Sequence, residues 1–367
     1  MTDRLEDLRA RIAAIDAGIL RLVSDRLALV RDVGAAKREA GLAVRSYGAE
    51  QEVLSRFHLL AGELGLDEKL AERIAHLLIG AAVRQQEEAQ APKSERARRI
   101  LIVGGAGKMG RWLGRFFAGQ GHEVTTLDPY GPVPGFRAAT HLVAAVREAE
   151  VVLVATPLAP GKRALQDVLS IEPAALVIDI FSLKSHVLDL LEGAAAHGLR
   201  VASLHPLFGP SVRTLSGRVM AVCDCGNSAA ADEAAALFAD TALTITRIPV
   251  AEHDAFMQYV LGLSHLTAIL FATTLAQSGR SFGDLAAMAS TTFYKESRTA
   301  AEVARENPYL YFEIQNLNRH SAELFALVKE SLATVEAAAL GERPDKFVEL
   351  MEKARVYFPE TLPAELG

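Results

Sequence analysis

Cysteine is nearly absent from this chain of 367 residues, in which only Cys223 and Cys225 occur. Two cysteines make neither a disulfide framework nor a metal-ligand set, so no metal is expected and the chain reads as cytosolic. Proline is missing before Pro92, so nothing in the first quarter of the chain forces a helix to break. Positive charge is not in excess either: 39 Lys and Arg against 45 Asp and Glu give a net charge of −6, which excludes the basic footprint of a nucleic-acid partner. The charged opening Thr2-Asp3-Arg4-Leu5-Glu6-Asp7 lacks the apolar centre of a signal peptide. With no run of 18 apolar residues, a membrane-spanning helix is not expected. No repeat or low-complexity segment stands out beyond alanine richness.

What is present is a soluble composition, 50% hydrophobic and 23% charged, in a chain long enough for two or three cores. From Leu5 the apolar residues recur at Leu8, Ile12, Ile15, Ile19, Leu22, Val23, Leu27, Val30 and Val33, which is helical spacing. A helix of roughly 35 residues would span about 50 Å, more than a small domain can wrap, and such a helix calls for a partner chain. Gly41 ends it. Further helical patterns run from about Gly48 to Leu64 and from about Asp67 to Gln90, so residues 1–90 read as an all-α domain. The polar stretch from Gln85 to Arg99 contains the first proline, and 91–98 is taken as a linker. Beyond it, apolar runs at 100–103, 123–128, 151–155, 176–180 and 200–204 alternate with helix-length segments. That alternation predicts a parallel sheet covered on both faces over 99–248. Residues 249–367 read as helical again, with Pro308 and Pro344 opening two helices.

Gly105, Gly107 and Gly110 in G-G-A-G-K-M-G form G-x-G-x-x-G between the first strand and a helix. Glycine there permits a tight turn and close approach of a pyrophosphate to helix N-terminal amides. Asp128 closes the next strand about 20 residues on, where a carboxylate meets a ribose 2′-hydroxyl. It is followed by Pro129 and Tyr130 and not by an arginine, which favours NAD over NADP.

Asp179-Ile-Phe-Ser182-Leu-Lys184 and His205-Pro-Leu-Phe-Gly-Pro210 each follow a strand, at the edge where open α/β sheets bind ligands. A histidine fixed by a following proline can accept a hydroxyl proton near neutrality or can be a hydrogen-bonded structural residue. Together with Ala251-Glu-His253-Asp254, Leu263-Ser-His265 and Asn307-Pro-Tyr-Leu-Tyr311, these motifs resemble the prephenate dehydrogenase family across about residues 99–360. The resemblance implies a Rossmann NAD-binding domain followed by an all-α substrate and dimerisation domain. It makes His205 the base on the substrate's ring hydroxyl, Ser182 the residue orienting it, and His253 more often structural. His265, Lys184 and Arg298 fall to the substrate, while Gly105, Gly107, Lys108, Met109, Gly110, Asp128, Thr156 and Pro157 fall to NAD. One departure is that Glu302 stands where the family places a carboxylate-binding arginine. Arg298, one turn earlier, or Arg305, nearly one turn later, shares its helical face, and Arg298 is preferred.

The first 90 residues resemble the all-helical chorismate mutases in the stretches Leu8-Arg-Ala-Arg-Ile12, Asp25-Arg26-Leu27 and Val33-Gly-Ala-Ala-Lys37. Arg26 and Lys37 lie almost three turns apart on one face, with Arg9 about a quarter turn away. The resemblance gives Arg26, Lys37, Glu50 and Gln86 to one site and sends Arg9 into the partner's. Ser46 and Ala82 replace polar residues of some relatives. The whole chain is therefore expected to be a cytoplasmic homodimer acting on chorismate and prephenate. The alternatives are the aminated analogues or arogenate as substrate, or an N-terminal module that is regulatory and inactive.

Overall fold

The computed structural model describes residues 2–39, 47–89, 96–212, 215, 217–239, 241 and 243–359. Gly41, Ser46 and most of the expected linker lie outside the described residues. Three helices come first: α1 (Thr2–Glu39), α2 (Tyr47–Leu64) and α3 (Glu68–Ala89), with α3 packed on both others. Among the described side chains of these helices the buried ones are small, Ala61, Ala71 and Ala75, which lets the helices approach closely. The apolar stripe that predicted α1 is still in water: Leu5, Leu8, Ile12, Ile15, Ile19 and Leu22 are all exposed.

An eight-stranded sheet follows, in the order β3-β2-β1-β4-β5-β6-β7-β8. The strands are β1 (Arg99–Val103), β2 (Glu123–Leu127), β3 (Arg137–Ala138), β4 (Val151–Val154), β5 (Leu176–Asp179), β6 (Val201–Pro206), β7 (Val219–Asp224) and β8 (Thr244–Pro249). All neighbours are parallel except β6 and β7, which pair antiparallel with His205 opposite Ala221. The central strands are buried on both faces, which is why they read as unbroken apolar runs. Helices α4 (Lys108–Gly119), α5 (Leu142–Glu148), α6 (Leu158–Leu169), α7 (Leu188–Ala196) and α8 (Ser228–Ala236) cover the sheet. Each face has its own apolar core, one around Val152, Leu165 and Phe181 and the other around Leu113, Phe117 and Phe238.

The remaining helices are α9 (Val250–Met257), α10 (Ser264–Gln277), α11 (Phe282–Ala287), α12 (Thr291–Arg305), α13 (Pro308–Leu317), α14 (Ser321–Ala339) and α15 (Asp345–Tyr357). A π-helical turn, Gln258–Leu263, joins α9 to α10. Such turns concentrate at functional sites. The resulting rod, Val250–Gln277, is long and apolar enough to cross a membrane by length and composition, although polar residues such as Glu252, His253 and Asp254 interrupt its apolar run. It also carries the fully buried polar pair His253 and Asp254 against the sheet domain.

Candidate active site

Gly104 opens the loop after β1 with φ +88, and a Cβ there would sit 2.8 Å from the backbone of Ala155 and Thr156. Only glycine fits. A Cβ on Gly110 would collide with the Gly104 carbonyl oxygen, so the third motif glycine is what lets α4 approach the strand. Gly107 caps α4 without any side-chain hydrogen bond, leaving the helix N-terminus clear for a phosphate. The Asp128 carboxylate accepts from Ala106 N at 2.8 Å and from Tyr130 N at 3.0 Å, which fixes it beside the loop. At the end of β4 the Thr156 hydroxyl is sealed and unpartnered among the described residues. A clear helix end, a glycine cradle, an anchored carboxylate and an orphaned hydroxyl fit a dinucleotide.

Two strands further along the sheet lies His205, 3% exposed. Its Nδ1 is 2.9 Å from Nε2 of His253, whose Nδ1 is 2.7 Å from Oδ1 of Asp254. Nothing described hydrogen-bonds His205 Nε2, and that nitrogen is not sealed away. Burial, and then the neighbouring His253 and Lys184, hold the His205 imidazole well below its usual pKa. The ring therefore stays neutral and can take a proton. Among the described residues no hydrogen bond joins Ser182 to His205; the position beside Nδ1 belongs to His253. In the sequence His253 and Asp254 stood only in the motif Ala251-Glu-His-Asp254, with His253 read as more often structural, because their partner stands 48 residues away.

Lys184 corrects an expectation. Instead of facing a substrate it is 1% exposed, and its ammonium donates to Asp179 Oδ1 at 2.7 Å, Phe181 O at 2.7 Å and Leu204 O at 2.9 Å. An ammonium has three donors, and all are used within the fold. It ties the carbonyl just before Ser182 to the carbonyl just before His205. His265, at the start of α10, packs its ring 4.4 Å from that of Tyr311 on α13, and its Nδ1 is sealed without a partner. Arg298 is exposed and donates to Glu302 at 3.1 Å; no described contact brings it to His205 or His265.

In the N-terminal helices, Arg26 is half-buried and donates to the Leu78 carbonyl on α3 at 3.1 Å. Burial, with Arg56 nearby on α2, lowers its pKa, so two guanidinium groups share one region where dicarboxylates would be welcome. Arg56 was not singled out in the sequence. Arg9 is exposed. The side chains of Lys37, Glu50 and Gln86 lie outside the described residues. Cys223 and Cys225 are buried and unpaired, and burial pushes the Cys223 thiol up to about 12.

Comparison with known proteins agrees with this division. The family descriptions "Chorismate mutase type II", "Prephenate dehydrogenase, nucleotide-binding domain" and "Prephenate dehydrogenase, dimerization domain" match residues 8–87, 135–240 and 249–353. The T-protein of Enterobacter agglomerans is 26% identical over 348 residues, covering 94% of this chain and 90% of that one. The chain belongs to the bifunctional T-protein family. Its mutase part is also 30% identical over 79 residues to a chorismate mutase of Methanocaldococcus jannaschii, spanning 22% of this chain and 80% of that one. For the fold, the prephenate dehydrogenase of A. aeolicus, solved with hydroxyphenyl propionate and NAD+, superposes with a TM-score of 0.59 at 18% identity, over 72% of this chain and 98% of the other. In this chain the nucleotide-binding match begins at residue 135, after the glycine loop and Asp128, so those residues rest on their own geometry.

Proposed function

We propose that this chain rearranges chorismate to prephenate in its N-terminal helices and then oxidatively decarboxylates prephenate to 4-hydroxyphenylpyruvate, with NAD as oxidant, in tyrosine biosynthesis. The observation that carries the second activity is His205, neutral, buried and with Nε2 open at the edge of a dinucleotide-binding sheet. Gly105, Gly107, Lys108, Met109, Gly110, Asp128, Thr156 and Pro157 would hold NAD, which would supply the hydride acceptor for the hydroxyl-bearing ring carbon. His205 Nε2 takes the hydroxyl proton as that carbon becomes a carbonyl. Loss of the ring carboxylate as carbon dioxide then aromatises the ring, and His205 returns the proton to the phenolate oxygen. Ser182 and His265 line the substrate, and Arg298 meets a carboxylate. The buried surroundings of His205 hold its ring in place for the transfer.

Asp128 sets the cofactor in this reading. Asp128→Ser removes an acceptor for the ribose 2′-hydroxyl and a repulsive charge against a phosphate. Steady-state kinetics with both cofactors should show the NAD to NADP preference falling by tenfold or more. An unchanged ratio rejects the assignment.

The rearrangement of chorismate needs no base or nucleophile, only cations for two carboxylates and a donor at the breaking ether bond. Arg26, Lys37 and the partner's Arg9 supply the cations, Lys37 and Gln86 donate to the ether oxygen from opposite sides, and the Glu50 carboxylate accepts from the substrate hydroxyl. Lys37→Ala should lower mutase turnover by about 10² to 10³, more than it weakens affinity, because its donation strengthens as charge develops on the ether oxygen. The assay follows chorismate consumption without NAD, then oxidation of supplied prephenate with NAD. Mutase turnover at the parent rate refutes the lysine, and collapse of both activities makes it structural.

The protein works as a cytoplasmic homodimer. Its two exposed apolar faces support this, one along α1 and the other along the rod Val250–Gln277, where Phe256, Tyr259, Val260, Ile269 and Leu270 stay in water. The second lies within the region matched as a dimerisation domain.

A further inference from the structure

We propose that His253 and Asp254 are positioning residues of the dehydrogenation, forming with His205 a carboxylate–imidazole–imidazole chain that fixes which nitrogen of His205 is free to take the proton. This rests on the reading of His205 as the base.

The direction of the chain follows from its far end. Asp254 is fully buried and receives Lys184 N at 2.9 and 3.0 Å, Ser185 N at 2.6 Å, Ser185 Oγ at 2.5 Å and His253 Nδ1 at 2.7 Å. Burial alone would raise its pKa, but the hydrogen bonds from His253 and Ser185 outweigh that and hold the carboxyl well below the usual range. An ionised carboxylate only accepts, so Nδ1 of His253 must carry the hydrogen. Burial keeps His253 neutral, and its Nε2 is then a lone pair. The 2.9 Å contact with that lone pair obliges Nδ1 of His205 to donate. The lone pair of neutral His205 is thereby placed on Nε2, the nitrogen no described residue occupies. A simple buried ion pair would need no such order; here every donor and acceptor is assigned by the group before it.

The same chain answers for charge during the reaction. When Nε2 takes the substrate proton, His205 becomes a cation inside the fold. The charged groups around it are Lys184, already matched by Asp179, and Asp254, one ring away through His253. Asp254 is the counter-charge left for the imidazolium. The carboxylate also grips the backbone of Lys184 and Ser185, so the loop carrying Ser182 and the ring behind His205 are held by one group.

Two substitutions test this. In Asp254→Asn, the amide oxygen keeps the backbone donors and the amide NH2 faces His253 Nδ1, which reverses both tautomers and leaves His205 Nε2 carrying hydrogen. Turnover should fall on the order of 10³ to 10⁴, as wrong-tautomer variants do. NAD affinity, the prephenate KM and mutase activity should stay near parent values. The residual rate should climb with pH above neutrality, where solvent hydroxide substitutes for the base. Nitrogen NMR of labelled histidine should show His205 and His253 exchanging tautomers. The second pair is His253→Gln and His253→Leu. A glutamine amide can donate to Asp254 and accept from His205, so it should retain at least tenfold more activity than leucine, which can do neither. Leucine equal to or better than glutamine, or Asp254→Asn with parent turnover and unchanged tautomers, overturns the proposal. If His205→Asn itself turns over normally, the base reading fails instead. Should Asp254→Asn lose NAD binding, the glutamine and leucine comparison decides.

Discussion

Replacing His205 by asparagine should lower prephenate dehydrogenation by about 10² to 10⁴ in turnover, while NAD binding and the mutase reaction persist. An amide at this place can still hydrogen-bond the substrate hydroxyl, so affinity is largely kept. What it cannot do is hold the proton while the ring carbon becomes a carbonyl. The loss should therefore lie in kcat and not in KM. Stopped-flow and steady-state measurement of NADH formation separate the two, and a variant within a few-fold of the parent removes His205 from the chemistry. The depressed pKa has a further sign. Because burial and its neighbours lower the His205 pKa, the neutral base persists below pH 6.5, and parent turnover should not lose its base on acidification until well under that value. Stability responds in the same window. His205 and His253 both have folded pKa values lowered from 6.5, so below that pH the unfolded chain binds protons the native state refuses. Native stability then falls as pH drops through the ordinary histidine range.

Lys184→Met should cost the fold about 3 to 5 kcal/mol, the usual consequence of removing one partner of a sealed ion pair. Asp179 would be left as a buried carboxylate whose Oδ2 already has no partner, and the carbonyls of Phe181 and Leu204 would lose a donor. Thermal unfolding of the NAD-binding domain reads this directly. Asp179→Leu added to Lys184→Met should restore much of the loss, since no charge then remains buried; the two substitutions share a contact and should be strongly non-additive. A single Lys184→Met variant as stable as the parent would return the lysine to the substrate.

How far the sequence could be read follows from which structures are local. β1, β4, β5 and β6 announce themselves because strands buried on both faces must be apolar throughout, while β2, fully buried only at Val124 and Thr126, shows through its place just before Asp128. β7 and β8 did not. Among the described residues no helix separates β7 from β6, and β7 turns antiparallel, breaking the alternation that flagged the others, and β8 is an exposed edge whose Thr244, Thr246 and Arg247 dilute its apolar residues. The glycine loop and Asp128 were legible because their spacing is itself the chemistry. Lys184 was misread because a lysine at a strand's end looks the same whether it faces a ligand or a carbonyl cage. The His205–His253 contact was invisible, since neither residue's neighbours in the chain say that the two rings meet.

The π-helical turn at Gln258–Leu263 acts as a phase shifter. His253 and His265 are twelve positions apart (265 − 253 = 12), and on an unbroken α-helix that spacing would leave them about 120° apart around the axis. A π turn winds roughly one more residue into its coil, so twelve positions count as about eleven, just over three whole turns. Both imidazoles then lie on nearly the same side of one rod, one below the turn and one above it. Side-chain phase read from the sequence on one half of this rod does not carry over to the other.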